Sequence, residues 1–172
     1  VIANAEENRA PDLDALRAAG LPVWVTFPRT VPGALTSLGR LLRVCGLGHP
    51  PWLRAAADAW AAPYAGARRT AVIPVWRRPW MAVGSGTFAG DLLARLGVDN
   101  ALAGHEERYP RFDPTSVRAD LVVLPDEPYA FSPDDGPEAF PGTAARCVSG
   151  RHLTWYGPSL VEAKDLLTRQ LG

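Results

Sequence analysis

Seven aromatic residues, Trp76, Trp80, Tyr109, Phe112, Tyr129, Trp155 and Tyr156, stand at the ends of apolar strand-like runs or in the loops that follow them. In a parallel α/β sheet, loops beyond the carboxyl ends of the strands line the ligand crevice. Mixed with Arg77, Arg78 and Arg111, these rings would suit a large, flat, partly anionic ligand held by stacking and by guanidinium groups. Some of the rings must instead cap the sheet as core, and Trp76 and Phe131 are the first expected there.

Other groupings carry less chemistry. Gly84-Ser85-Gly86 lies between a strand and a helix start, where free backbone N–H groups can hold an anion. It is neither a Walker loop nor a Gly-x-Gly-x-x-Gly fingerprint, so a tight turn with Thr87 as the helix cap is the expected reading. His105-Glu106-Glu107 invites a metal, but adjacent side chains diverge on an extended chain, and His49 and His152 have no ligand spacing to it. A solvated loop is expected. Ser85, Ser149 and Ser159 lack the Gly-x-Ser-x-Gly elbow of a hydrolase. No convincing catalytic centre emerges.

The elements that would position these residues alternate. Residues 1–27 read as strand, helix (11–19) and strand (21–27), the grammar of a parallel βαβ unit. A helix over 31–45 follows, with Leu35, Leu38, Leu41, Leu42 and Cys45 on its apolar side. Gly46 and Gly48 break the chain before an alanine-rich stretch, 48–66. There the two prolines at the front, Trp52, Ala56, Ala59 or Trp60, and Pro63 at helical spacing, and Gly66 at the end predict one helix of roughly 25 Å. It is either a strut between two α/β segments or an ordinary surface helix. Beyond it come a strand at 70–76 with an irregularity at Pro74, a helix at 87–96 and a polar loop at 99–119. Strands at 121–124 and 144–148, a weak helical turn within 132–139 and a closing amphipathic helix at 158–171 complete the pattern.

The 172 residues suffice for one domain with a good core, or for one lobe and part of another. Lys+Arg and Asp+Glu both number 18, and no basic run exceeds two residues, which argues against a nucleic-acid partner. No apolar run is long enough to span a bilayer, and no signal peptide is readable. The chain opens on Val1-Ile2-Ala3, which reads as a buried strand under way, so a preceding segment is expected. Cys45 and Cys147 are expected as buried free thiols rather than a disulfide.

From Trp76-Arg-Arg-Pro-Trp-Met through Val83-Gly-Ser-Gly-Thr to Leu96-Gly-Val-Asp-Asn-Ala-Leu102, the sequence resembles the helical-backbone substrate-binding proteins of ABC importers for cobalamin, haem and ferric siderophores. Leu16-Arg-Ala-Ala-Gly-Leu-Pro-Val23, Leu124-Pro-Asp-Glu-Pro-Tyr-Ala-Phe131 and Thr154-Trp-Tyr-Gly-Pro158 agree in order along nearly the whole chain. The resemblance implies an α/β fold of parallel-sheet lobes joined by one long backbone helix. It divides the chain into 1–47 (the remainder of an incomplete N-terminal lobe), 48–66 (the linking helix) and 67–172 (the C-terminal lobe). It further implies a non-catalytic protein without a resident cofactor, placed outside the cytoplasmic membrane, that holds a metal chelate between its lobes. The ligand-binding residues implied are Trp76, Arg77, Arg78, Trp80, Tyr109, Arg111, Phe112, Trp155 and Tyr156. At the Trp-aromatic pair, where a well-known cobalamin binder carries an acidic residue and an arginine, this chain has Thr154 and Gly157-Pro158. The implied partner is an ABC permease, which relatives engage through one surface glutamate on each lobe; the matching segment 113–120 has none. An incomplete N-terminal lobe could alternatively serve a non-transporting interaction module, pairing with a second copy through its sheet edge.

Overall fold

The computed structural model describes residues 1–172. Its N-terminal layer is a βαβ unit: β1 (Ile2–Asn4), α1 (Ala10–Ala18) and β2 (Trp24–Thr26), with the strands parallel and Ala3 opposite Val25. Pro11 suits the first turn of α1, where a missing N–H costs nothing, and Leu13 is the residue that α1 buries. The Thr26 hydroxyl donates to the Ala3 carbonyl at 3.0 Å and ties the strands at their inner ends.

α2 (Val31–Val44) starts on Thr30, whose hydroxyl accepts the Gly33 N–H. The expected leucine face is only half-buried, and full burial falls on Val31, Ala34 and Gly39 instead. Leu38 and Leu41 border a cavity rather than a packed core. Cys45 is exposed at the helix end, contrary to the expected buried thiol, because α2 runs out past its packing partners; both cysteines are free. Gly46, at φ 76°, turns the chain in a conformation that suits glycine.

The helix expected over 48–66 is much shorter. α3 spans Pro51–Ala59, nine residues or about 13 Å of rise. Continuation would require the N–H of residue 63 to bond the Ala59 carbonyl, and Pro63 has none. Lys164 supplies the missing donor, its ammonium lying 2.8 Å from that oxygen. Trp60, 3% exposed, donates its indole N–H to the Leu160 carbonyl at 2.8 Å and pins the end of α3 to the closing helix. Gly66 does not terminate a helix; it leaves room for the Tyr64 ring, whose hydroxyl donates to the Ala67 carbonyl.

A four-stranded parallel sheet follows, in the order β6-β3-β7-β8. It comprises β3 (Arg69–Val72), β6 (Val98–Asn100), β7 (Leu121–Pro125) and β8 (Ala144–Val148). Central β7 is buried on both faces, as parallel sheets require. Leu121 and Val123 face a large cluster with Leu92, Leu93, Leu160 and Leu167, while Val122 and Leu124 face Phe131 and Phe140. β6 was not legible, because Asp99 and Asn100 are poor strand formers. They are held by an Arg68–Asp99 ion pair and by Asn100 Nδ2, which donates to the Val83 and Gly84 carbonyls at 2.9 Å each.

The single strand expected over 70–76 divides. Pro74 cannot donate to the ladder, and beyond Ile73 the chain leaves the parallel sheet. β4 (Pro74–Trp76) pairs antiparallel with β5 (Met81–Ala82), and this small hairpin swings Val75, Trp76 and Met81 to the cavity. α4 (Phe88–Ala94) is capped by Thr87, which accepts the Gly90 N–H, so Gly84-Ser85-Gly86 forms the expected turn. A 3-10 turn at Pro137–Ala139 fills the expected weak helical segment. α5 (Gly150–Thr154) was unforeseen, and α6 (Leu160–Leu171) buries Leu160, Ala163, Leu167 and Leu171. No helix is long and apolar enough to cross a membrane.

Candidate functional site

A cavity of about 840 Å³ opens between the N-terminal βαβ layer and the carboxyl-end side of the second sheet. Small-molecule clefts typically measure ~300–1,000 Å³, so this one lies in the upper part of that range. One wall is the chain that leaves β1 (Asn4, Glu6, Glu7), with Thr26 at the end of β2 and Leu38 and Leu41 from α2. The opposite wall is the β4–β5 hairpin, Phe88 at the start of α4, Glu127 just after β7, and Thr154 to Tyr156 at the end of α5. Both sheets therefore meet the cavity at the carboxyl ends of their strands, where the side chains are supported but the backbone turns away.

Four of the expected residues come together there: Trp76, Tyr109, Trp155 and Tyr156. Trp155 is 62% exposed and Trp76 45% exposed, so each presents a ring surface that protein atoms do not cover. Trp76 is not core, as expected first; Pro74 has turned its strand outwards, and the ring touches Tyr129 edge-on at 5.8 Å. Phe131 is core, at 4% exposure. Tyr156 rests edge-on against Phe88 at 5.6 Å, and its hydroxyl accepts from Asn4 Nδ2 at 2.8 Å, across the cavity from one layer to the other. A second cross-layer clasp joins Arg108 to Glu6 at 3.1 Å, with the Tyr109 hydroxyl donating to the same Glu6 oxygen at 3.4 Å. Arg108 also lies 4.0 Å over the Phe27 ring. Burial, and then the Glu6 charge, push the Tyr109 phenol up to about 12.

The other five expected residues lie elsewhere, for identifiable reasons. Trp80 stacks on Phe131 at 5.8 Å and meets Phe140 and Phe112 edge-on, so Trp80 and Phe112 are parts of an aromatic core on the far face of the sheet. Arg77 turns towards that core, paired with Asp135 and Glu138 and lying 5.2 Å over the Trp80 ring. Arg78 is exposed with a φ of 67°, and Arg111 is exposed beside Met81, with which its backbone forms a bridge. None of these five lines the cavity.

The aromatic signal in the sequence leads into the loops, and short polar residues at the same strand ends carry no comparable signal. Asn4, Glu6 and Glu127 obey the same positional rule, since each falls at or just after the last residue of β1 or β7. Glu127 Oε1 is buried without a hydrogen-bond partner, and no ion pair in the structure includes Glu127. Leaving such a group unpaired costs about 1–3 kcal/mol, and more when it is charged. No three His, Cys, Asp or Glu side chains gather as a metal site, and His105 sits in an exposed loop where its Nδ1 accepts the Glu107 N–H.

A parallel βαβ layer and a second parallel sheet, linked by a helical segment and facing each other across an open cavity, form the fold of the helical-backbone, class III periplasmic binding proteins. The solved structures similar to this chain include the periplasmic haem-binding protein RhuT from Roseiflexus sp. RS-1. It matches with a TM-score of 0.78 and 16% identity over 99% of this chain and 74% of its own. The haem-binding protein BhuT, in complex with two haems, matches at 0.75 and 19%, over 99% and 74%. The vitamin B12 binding protein BtuF of Vibrio cholerae matches at 0.75 and 14%, over 99% and 72%. No family model and no curated protein matches the sequence.

Proposed function

We propose that this chain is the solute-binding component of an ABC importer, working outside the cytoplasmic membrane and taking a metal chelate of the haem, corrinoid or ferric-siderophore kind. The carrying observation is the 840 Å³ cavity at the strand ends of both layers, with exposed Trp76 and Trp155 rings on its wall. A planar macrocycle offers two π-faces, and exposed indoles are the side chains that stack on them. The likeness in fold to haem- and B12-binding proteins supports the same reading. On this reading 1–47 and 67–172 act as the two lobes, 48–66 as their link, and a permease is the partner.

The ligand residues then reduce to Trp76, Tyr109, Trp155 and Tyr156, and the test is a pair of variants. Trp155→Ala is expected to weaken chelate binding at least tenfold with the fold intact, read by native mass spectrometry and by quenching of tryptophan fluorescence. Trp80→Ala is expected to destabilise the far-side aromatic core and to leave the affinity of the folded fraction near that of the parent. Equal affinity for Trp155→Ala and the parent would sink the assignment.

A second reading, an interaction module that pairs with another copy, is favoured by one feature. Val1, Ile2, Leu21 and Val25 expose apolar surface around a two-stranded sheet whose outer edges are unpaired. A ligand-free dimer with every chelate tried would support it.

A further inference from the structure

The acid–base make-up of the cavity says which kind of chelate it can hold. Three carboxylates line it, those of Glu6, Glu7 and Glu127, while no arginine, lysine or histidine does. Arg108 neutralises Glu6 from outside the lining, which leaves Glu7 and Glu127 without a cation. An anionic ligand would also need hydrogen-bond donors, and four of those lining the cavity are already engaged. Asn4 Nδ2 serves Tyr156, Thr26 serves the Ala3 carbonyl, Tyr109 serves Glu6, and Thr154 serves the Gly150 carbonyl. The exposed faces of Trp76 and Trp155 add the negative side of their quadrupoles, which attracts cations.

We infer that the cavity selects a ligand with positive charge or hydrogen-bond donors at its rim, a cationic chelate rather than a polycarboxylate one, and that Glu7 and Glu127, the two lining carboxylates without a cation, receive this charge. This rests on the proposed solute-binding role and narrows it. It also reverses the expectation of a partly anionic ligand, because the three arginines on which that expectation stood all lie outside the cavity.

A matched pair of probes tests the charge while keeping the ring constant. One is iron(III) protoporphyrin IX, with its two propionates; the other is its bis-amide with ethylenediamine, which ends in two ammonium groups. Both are titrated at pH 7 into the full chain and followed by the Soret band and by tryptophan fluorescence. The ammonium probe should bind at least tenfold tighter, and its advantage should shrink as salt is raised. Glu127→Gln should cut that advantage at least threefold, with Glu7→Gln, on an exposed turn, as a second variant that moves it the same way by less. Tighter or equal binding of the propionate probe would overturn the charge inference while leaving the chelate-binding role standing. An advantage unchanged in both variants would overturn the part given to these carboxylates. If neither probe binds, the haem-type form of the solute-binding reading falls and the charge inference falls with it.

Discussion

Gly150 fixes the position of Glu127, and replacing it with alanine should disturb fold and cavity together. A Cβ at Gly150 would lie 2.5 Å from Glu127 Cγ, 2.6 Å from its carbonyl oxygen and 2.8 Å from its nitrogen. Two of these three contacts are with backbone, so a rotamer change of Glu127 relieves only one. The Gly150 N–H also donates to Asp126 Oδ1 at 2.6 Å, which holds the strand end against the start of α5 and removes the easy direction of escape. Overpacking of this kind costs about 1–3 kcal/mol, and backbone contacts place Gly150→Ala in the upper half, near 2–3 kcal/mol. With a urea m-value of about 2 kcal/mol/M, the midpoint should fall by roughly 1–1.5 M. The control is Gly157→Ala in the bend between α5 and α6, where a Cβ meets nothing within 4 Å and φ is not positive. It should be neutral, or stabilising by up to about 1 kcal/mol through the unfolded chain. In a ligand titration Gly150→Ala should weaken affinity, because Glu127 cannot keep its place. A Gly150→Ala midpoint within 0.3 M of the parent (about 0.6 kcal/mol at that slope) with unaltered affinity would refute the reasoning.

Two further outcomes follow from contacts outside the cavity. Trp60→Phe removes the hydrogen bond to Leu160, worth about 1 kcal/mol, and opens a void of about 40 Å³ worth about another 1 kcal/mol. Urea denaturation should show a loss of roughly 2 kcal/mol, and a loss below about 0.5 would mean that α3 is held chiefly by other contacts. Tyr109 is raised from 10 to about 12 by burial first and by Glu6 second. The fold favours its neutral form, so its contribution is complete below pH 10 and disappears as pH rises through about 12. Two units correspond to about 2.7 kcal/mol before discounting for solvent. Tyr109 is 37% exposed, and screening reduces the figure to about 1 kcal/mol. In a phenolate absorbance titration, Tyr109→Phe should abolish the highest step, and Glu6→Gln should lower it; an unaltered highest step in Tyr109→Phe would assign it to another tyrosine.

What could be read in the sequence, and what could not, divides along physical lines. Periodicity over a full element was reliable. α2, β7, β8 and α6 fall within a residue or two of expectation, and in β7 and α6 the apolar pattern runs the length of a buried element. Prolines override the pattern around them. Pro63 falls on the helix face that the spacing suggests, yet its missing N–H ends the helix four residues earlier, and Pro74, an irregularity by sequence, sends the strand into another sheet. Short elements held by side chains, β6 and α5, leave no periodic trace. At the site, ring residues near strand ends were legible, but which rings find an aromatic partner was not. Trp80 and Trp155 have the same local signal, and only the distant Phe131 and Phe140 distinguish them. The arginines failed for a like reason, since Asp135 and Glu138, some sixty residues from Arg77, claim its charge.

The layer made by β1, α1 and β2 has strands of three residues each and buries little of its own beyond Ala3, Leu13 and Thr26. A unit with so small an interior opens at low free energy. It nevertheless supplies one wall of the cavity and one half of both clasps. On the proposed solute-binding role, a ligand that fills the cavity would also brace this wall, and each tenfold of ligand above saturation would add about 1.4 kcal/mol to its persistence. Occupancy would then be converted into stiffness, a yielding flank in the empty chain and a firm one in the loaded chain. A partner that senses only how firmly that flank resists it would distinguish the two without touching the ligand.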